Sequence, residues 1–369
     1  MIRQPDAVTG CRTAADELQK HHIRELPILI LFPHNRCNCR CLMCDIWKIR
    51  QVREITAEDL RPHLDSIRAL KVRWMVFSGG EPLMHSDLTS LASMCREERV
   101  RLTLLTAGLL LERHAQNVTR WMDDVIVSID GPPGVHDAIR SVPGAFSRLA
   151  AGIREVRRLR PEMPVHGRCT VQKFNFRSLR DTVHVVRTLG LNSISFLAAD
   201  VDSQAFNRPT GWPVARQAGI ALDPSEVEAL DLEMRALIRE CHREIESGFI
   251  SESPEKLRRI VRHYRVILGQ EKPVAPHCNA PWVSAVIEAD GTVRPCFFHN
   301  PIGNMYDGTI IEVLNGSAGV NFRRKLDTTN NPVCQKCVCS LYLPGHGQGP
   351  DNLFAISSEG RVKIDEKER

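Results

Sequence analysis

Nine of the 13 cysteines of this 369-residue chain gather in two places: Cys37, Cys39, Cys41 and Cys44 near the start, and Cys278, Cys296, Cys334, Cys337 and Cys339 near the end. Thiolates are soft metal ligands, and clustered cysteines in a reducing compartment read as metal-binding or catalytic groups. Cys37, Cys41 and Cys44 have the spacing C-x3-C-x2-C, and Pro33 and Asn35 mark a loop there rather than a helix. A loop can wrap three thiolates around a four-iron cubane and leave one iron without a protein ligand, where chemistry would occur. Four-cysteine electron-transfer clusters have no such opening. A tetrahedral zinc site wants a fourth ligand, which Cys39 stands ready to supply. In the second group Cys278, Gly291 and Cys296 form C-x12-G-x4-C, followed by Cys334-x2-Cys337 and then Cys339. Thiolates drawn from three segments imply a metal site, either a zinc ribbon or an iron–sulfur cluster. Between the groups lies Ser78-Gly79-Gly80-Glu81-Pro82, where two glycines allow close backbone approach and Glu81 can pair with an ammonium. Cys11, Cys95, Cys169 and Cys241 are scattered and read as small buried hydrophobes.

These residues need a scaffold, and the pattern around them supplies one. Short β-rich runs at Pro27–Phe32, Trp74–Phe77, Leu102–Leu105, Asp124–Ile129, Val165–Val171 and Ser193–Leu197 alternate with amphipathic segments near 57–70, 87–98, 109–121, 145–159 and 177–189. Thr56 with Asp59 opens the first helix as a capping box. Such alternation implies a parallel sheet, and an open sheet or a partial barrel both gather ligands at the carboxyl ends of their strands. After a loop at 200–219 containing Trp212, Asp223-Pro224 and Ser253-Pro254 begin two helices that close near Gly248 and Gly269. Val283–Glu288 and Thr292–Pro295, joined by Ala289-Asp290-Gly291, read as a hairpin. The tail 344–369 reads as loosely ordered.

Forty-nine Lys plus Arg against 44 Asp plus Glu leave a formal charge of +5, too small an excess to argue for nucleic acid or an anionic membrane. The apolar run Leu26–Phe32 is too short to span a bilayer, and the charged N-terminus lacks a secretory core, so a cytoplasmic location is expected.

Arg36-Cys37-Asn38-Cys39-Arg40-Cys41-Leu42-Met43-Cys44 after strand one, with the Gly-Gly-Glu-Pro segment after strand two, resembles the radical S-adenosylmethionine (SAM) superfamily. The resemblance implies that Cys37, Cys41 and Cys44 hold a 4Fe-4S cluster. Its open iron chelates the amino and carboxylate groups of SAM, and Gly79, Gly80, Glu81 and Pro82 meet the amino group. Thr106-Ala107-Gly108 resembles the family's Thr-Asn-Gly, and Ser128-Ile129-Asp130-Gly131-Pro132 with His136, Asp137 and Arg140 resembles its fourth-strand signature. Thr106, Ser128 and Asp130 thereby become cofactor candidates. Arg140 would face cofactor or substrate, and Arg168 would meet the methionyl carboxylate through its bidentate fork. Met43 in place of an aromatic and Ala107 in place of Asn are departures. The C-terminal spacing resembles the opening of SPASM and twitch extensions and lacks the further SPASM cysteines. It therefore matches the shorter twitch form, with Cys278, Cys296, Cys334 and Cys337 around a second 4Fe-4S cluster and Cys339 as an alternate.

The expected fold is α/β: a partial (β/α)6 barrel with a helical insert and a small C-terminal β-hairpin/helix auxiliary-cluster domain. Its divisions are an N-terminal segment 1–26, a barrel 27–200, a loop and insert 201–275, an auxiliary domain 276–343 and a tail 344–369. The resemblance implies an enzyme that cleaves SAM to a deoxyadenosyl radical and takes hydrogen from substrate. A small molecule is favoured over a ribosomal peptide, because only about 26 residues precede the first strand, too few for an independent recognition core. A net oxidation assisted by the second cluster is the leading reading. The alternatives are peptide maturation, a redox-neutral epimerisation with Cys169 as hydrogen donor, and an electron carrier without chemistry. The Gly-Gly-Glu-Pro segment argues against a carrier. The expected partners are the substrate and a flavodoxin- or ferredoxin-like reductant.

Overall fold

The short apolar runs become strands β1 (Ile28–His34), β2 (Trp74–Gly79), β3 (Arg101–Thr106), β4 (Asp124–Ser128), β5 (Val165–Val171) and β6 (Ser193–Ala198). This computed structural model describes residues 21–344 and the backbone of two short strands, Ala355–Ile356 and Val362–Lys363. Each strand of the first six pairs in parallel with the next. The order never reverses, so there is no switch point of the doubly wound kind. Right-handed crossovers then put every helix on one face, and the sheet curls around the other as a partial barrel. β5 displays the result: Val165, Gly167, Cys169 and Val171 are buried, while His166, Arg168 and Thr170 are half-buried on the opposite face. The buried set shares one core with Leu179, Val183 and Val186 of the helix Leu179–Thr188, so that face meets the helices and the other faces the lumen.

The segment near 57–70 is not one helix. Thr56 and Asp59 do form the capping box, but Ala57–Leu60 gives way to a 3-10 turn at Arg61–His63 before the helix Leu64–Ala69, since Pro62 has no N–H to continue the first. A helix that pattern alone did not suggest, Pro133–Arg140, follows β4 and brings Arg140 back toward the first cysteine loop.

The insert is a wall. Helix Pro224–Glu240 stops at Cys241 and a short helix His242–Glu246 precedes Gly248, while Pro254–Ile267 runs as expected. Tyr264 Oη donates to Val171 O at 2.5 Å and Ile250 bridges to Ile194, so the insert covers the outer edge of β6.

The hairpin forms from β7 (Ser284–Ile287) and β8 (Thr292–Arg294), with Gly291 at φ +83° in the turn, and β9 (Gly303–Asn304) follows. The hairpin of this auxiliary region also continues the sheet of the barrel. β7 pairs in parallel with β1, Ile28 opposite Ser284 through Leu31 opposite Ile287, so one nine-stranded sheet runs β6-β5-β4-β3-β2-β1-β7-β8-β9. The free edge of β1 needs partners for its backbone, and Ser-Ala-Val-Ile, buried throughout, provides them. Leu341 and Leu343 pack with Trp282 and Val283 against Ile28, Ile30 and Trp74. Residues 1–20, with Cys11, and most of the tail 344–369 lie outside the described residues. Among the described residues no helix is long and apolar enough to cross a membrane.

Candidate functional site

The first cysteine loop leaves the end of β1 and lies on the end of β2, and the glycine pair makes that possible. A Cβ on Gly80 would sit 2.1 Å from Arg36 O, and one on Gly79, at φ +104°, would sit 2.7 Å from Phe32 Cβ. Glu81 N donates to Arg36 O at 2.8 Å, closing the contact. The Glu81 carboxylate, expected to meet an ammonium, is turned inward and fully buried. Oε1 accepts from Leu83 N at 3.1 Å and Thr106 Oγ1 at 2.7 Å, and Oε2 accepts from Ala107 N at 2.7 Å. Burial raises its proton affinity, and these three donors pull it back. Glu81 and Thr106 therefore tie the ends of β2 and β3 together, leaving backbone to face a ligand there. Pro82 is buried at the head of the 3-10 turn Pro82–Met84.

Cys39 and Cys41 are buried, and Cys37 and Cys44 half-buried, in a small cluster with Met43, Ala107, Leu109 and Val142. Arg140 Nη1 stands 3.5 Å from Cys41 Sγ, while Nη2 pairs with Asp130 at 2.5 Å. Asp130 is thus spent on Arg140 and on Thr170 N, 3.0 Å from Oδ1, rather than open to a ligand. A hydrogen bond from Cys39 holds the Cys41 thiol down to about 7 against burial, with Arg140 helping, whereas burial pushes Cys44 up to about 12. Cys39, donating to Cys37 and Cys41, is itself raised. An internal donor to two ligand sulfurs suits it better than the role of fourth ligand.

The lumen carries a polar row in register, Ser128 of β4 beside Arg168 of β5 beside Ser195 of β6. Arg168 Nε is buried with no hydrogen-bond partner. A guanidinium with a buried, unpartnered Nε on the lumen face, together with the three-thiol loop, fits a carboxylate-bearing cofactor beside a metal cluster. Cys169, on the opposite face, is fully buried, with Asn175 Nδ2 3.5 Å from its sulfur and its proton affinity raised by burial. A hydrogen donor to the lumen cannot sit there, because one step along a strand reverses the side chain.

The second group is assembled from afar. Cys296 lies in the field of Cys278 and Cys339, Cys334 in that of Cys296 and Cys278, and Cys337 in that of Cys339, Cys278 and Cys296. Burial pushes Cys296 up to about 11 and Cys334 to about 12. Cys339 is exposed, and its carbonyl accepts from Cys337 Sγ at 3.2 Å. His299, which spacing did not single out, has Nε2 3.4 Å from Cys334 Sγ. Among the described residues no three His, Cys, Asp or Glu side chains close on one point as a single ion requires. A four-iron cubane is held by thiolates set further apart than the ligands of one tetrahedral ion.

The loop 200–219 joins the two groups. Asp45, directly after Cys44, accepts from Trp212 Nε1 at 2.7 Å and pairs with Arg216 at 2.7 Å and Lys48 at 2.8 Å. Asp45 N donates to Phe206 O at 3.2 Å, and buried Arg208 pairs with Asp200 and stacks over Trp212. Phe206 reaches Phe297, next to Cys296, with ring centroids 6.1 Å apart, and Phe297 reaches Phe32 at 5.5 Å. Asp45 was not read from the sequence; its one signal is adjacency to the third cysteine. A cavity of about 160 Å³ runs from Arg168 past Arg259 of the insert to Cys337 and Cys339.

Two family models match this chain. A family model for the radical SAM superfamily matches residues 31–186, and one for the SPASM iron–sulfur cluster-binding domain matches residues 278–338. An AdoMet-dependent heme synthase of Methanosarcina barkeri is 30% identical over 159 residues, 42% of this chain and 45% of that protein. The match thus spans less than half of that relative's length. An Fe-coproporphyrin III synthase of the same organism is 24% identical over 328 residues, 84% of this chain and 80% of that one. The fold resembles Streptococcus suis SuiB bound to its precursor peptide SuiA, with TM-score 0.62 and 14% identity, covering 88% of this chain and 74% of that chain.

Proposed function

Because the chain belongs to the radical SAM superfamily and carries a SPASM-type iron–sulfur domain, we propose that it catalyses a net oxidation of a small-molecule substrate. The two domains imply two 4Fe-4S clusters and SAM as cofactors. When bound, the first cluster would supply the electron for reductive cleavage of SAM, and the second would offer a sink for an electron left on the substrate.

The observation that carries the reading is the cavity with Arg168 at one end and Cys337 and Cys339 at the other, since a substrate held there touches both sites. Cys37, Cys41 and Cys44 would hold the first cluster, and Arg140 sets a cation beside Cys41 that offsets thiolate charge. Ser128 and Arg168 would meet the methionyl carboxylate from the lumen wall. The 200–219 loop, latched on Asp45, lies against the cysteine loop and would help to keep water from it. Cys278, Cys296, Cys334 and Cys337 would hold the second cluster, with Cys339 as the alternate. Relatives named as synthases of heme and Fe-coproporphyrin III support a small molecule, while a relative named as a PqqA peptide cyclase of Ruegeria pomeroyi, 24% identical over 315 residues, keeps peptide maturation as the second reading. The outward placement of Cys169 weighs against epimerisation with that thiol as hydrogen donor. Unpaired thiols among the described residues suit a reducing cytoplasm with a flavodoxin- or ferredoxin-like reductant.

The test is anaerobic reconstitution with dithionite and SAM. Wild type should form deoxyadenosine slowly without substrate, and Cys41→Ala should not. With substrate, the Cys334→Ala/Cys337→Ala pair should still form deoxyadenosine but lose oxidised product. One oxidised product per deoxyadenosine from that variant would exclude the electron-sink role.

A further inference from the structure

The cavity between the lumen and the second cysteine group is unusual in its charge. Arg168, Lys256, Arg259, Arg262 and Lys336 all line it, against the single carboxylate of Glu252. Several of these charges are already answered. Arg262 pairs with Glu271 at 3.2 Å, and Lys336 pairs with Asp202 at 2.7 Å. Glu252 accepts from Phe196 N at 2.9 Å. Among the described residues Arg168 and Arg259 form no ion pair or hydrogen bond through their guanidiniums, although both are half-buried and Arg168 Nε is wholly covered. Glu252 lies near Arg168 and Cys337 near Arg259 without a direct ion pair to either, so two partly desolvated guanidiniums on a cavity with one carboxylate offer a place for a further anion. The lumen end, Arg168, lies in the polar row beside Ser128 that suits the cofactor's carboxylate. Arg259, on the helix Pro254–Ile267 near Cys337, is left for something else.

We propose that this cavity binds a carboxylate of the substrate, with Arg259 as its charged partner and as the residue that selects for it. The inference rests on the functional reading above, because only in an enzyme does the cavity face a substrate. Ile260, Val266 and Val274 give it apolar walls, which suit a carbon chain ending in a carboxylate better than a bare inorganic anion. At about 160 Å³ it is close to the roughly 150 Å³ known to admit a benzene-sized guest, so it takes one carboxylate-bearing arm rather than a whole large substrate. The planar guanidinium matches a carboxylate in a two-point fork, which lysine cannot reproduce.

Titration calorimetry of the reconstituted holoenzyme with glutarate, in the presence of SAM, tests this. Saturable binding is expected in wild type, weakened at least about ten-fold in Arg259→Gln, the loss typical of a removed charge-assisted hydrogen bond. Arg259→Lys should recover part of it, and glutaramide should not bind. Iron content and thermal midpoint of each variant, matched to wild type, separate a lost contact from a lost fold, and the Lys variant serves if the Gln variant is unstable. Absence of glutarate binding in wild type, equal binding in Arg259→Gln, or tighter binding of inorganic phosphate than of glutarate would each overturn the proposal. Wild-type deoxyadenosine formation is read separately. If glutarate binds but no deoxyadenosine forms, the functional reading fails and the anion site stands; if deoxyadenosine forms without glutarate binding, the site fails alone.

Discussion

The two cysteine groups are built in opposite ways. Cys37, Cys39, Cys41 and Cys44 come from a single loop, and what surrounds them is finished by protein atoms: Arg140 and Asp130 behind Cys41, Glu81 and Thr106 under the loop's neighbours, Asp45 latched to Trp212 and Arg216. The other group brings Cys278, the hairpin's Cys296 and the stretch Cys334–Cys339 together across some sixty residues, and its last thiol is exposed. Few side-chain contacts of its own replace what a metal would supply there. A site made by a loop on a rigid sheet is positioned by the fold, whereas a site made from distant segments is itself part of what holds those segments. The first is organised for reactivity, and the second doubles as a staple.

The largest effect should separate these roles directly. Replacing Cys37, Cys41 and Cys44 together by Ala should abolish deoxyadenosine formation, leave about four of about eight irons per chain and change thermal stability little. Cys334→Ala with Cys337→Ala should do the reverse, lowering the melting temperature and protease resistance while deoxyadenosine still forms. Equal destabilisation by both sets would break the contrast, and iron analysis beside thermal unfolding reads it out.

Next comes the buried charge behind the first loop. Arg140→Gln leaves Asp130 in the interior without its cation and should cost about 3–5 kcal/mol by denaturant titration. If stability holds and only SAM binding falls, Arg140 faces the ligand instead. A smaller loss is expected at Glu81. Glu81→Gln turns an amide toward a backbone donor, either Ala107 N or Leu83 N, and should destabilise by about 1–3 kcal/mol while iron content persists. Unchanged stability with much weaker SAM binding, measured by calorimetry, would return Glu81 to the ammonium-binding role that its motif suggested. The smallest effect is Lys48→Gln, which removes a 41% exposed ammonium from the same carboxylate that holds Trp212, and should stay within about 1 kcal/mol. A larger loss would mean that the latch depends on its rim rather than on its buried bond.

Spacing and alternation carried much of this protein in one dimension. The parallel strand runs and the Asp-Gly hairpin turn could be read from the chain, because side-chain period and turn chemistry are local properties. Both cysteine groups were equally legible, since a ligand must be a thiol whatever surrounds it. Boundaries and finer joins were less so: Pro62 splits a helix, and the residues that follow the fourth-strand signature form the helix Pro133–Arg140.

Only the folded chain decided the direction of each side chain and the partner of each charge. Glu81 sits in a motif that promises a ligand contact, yet the nearness of Thr106 Oγ1 and Ala107 N, 25 and 26 residues away, makes it a buttress. Cys169 and Arg168 are neighbours in sequence, but the strand sends one to the helices and the other to the lumen. β7 joins β1 because a first strand with a bare edge needs a partner, and nothing near residue 284 in the chain announces which strand that is. The residues present and their local periods follow from covalent sequence; which of them meet follows from packing at long range, where a side chain's neighbours are set by the whole sheet rather than by its own segment.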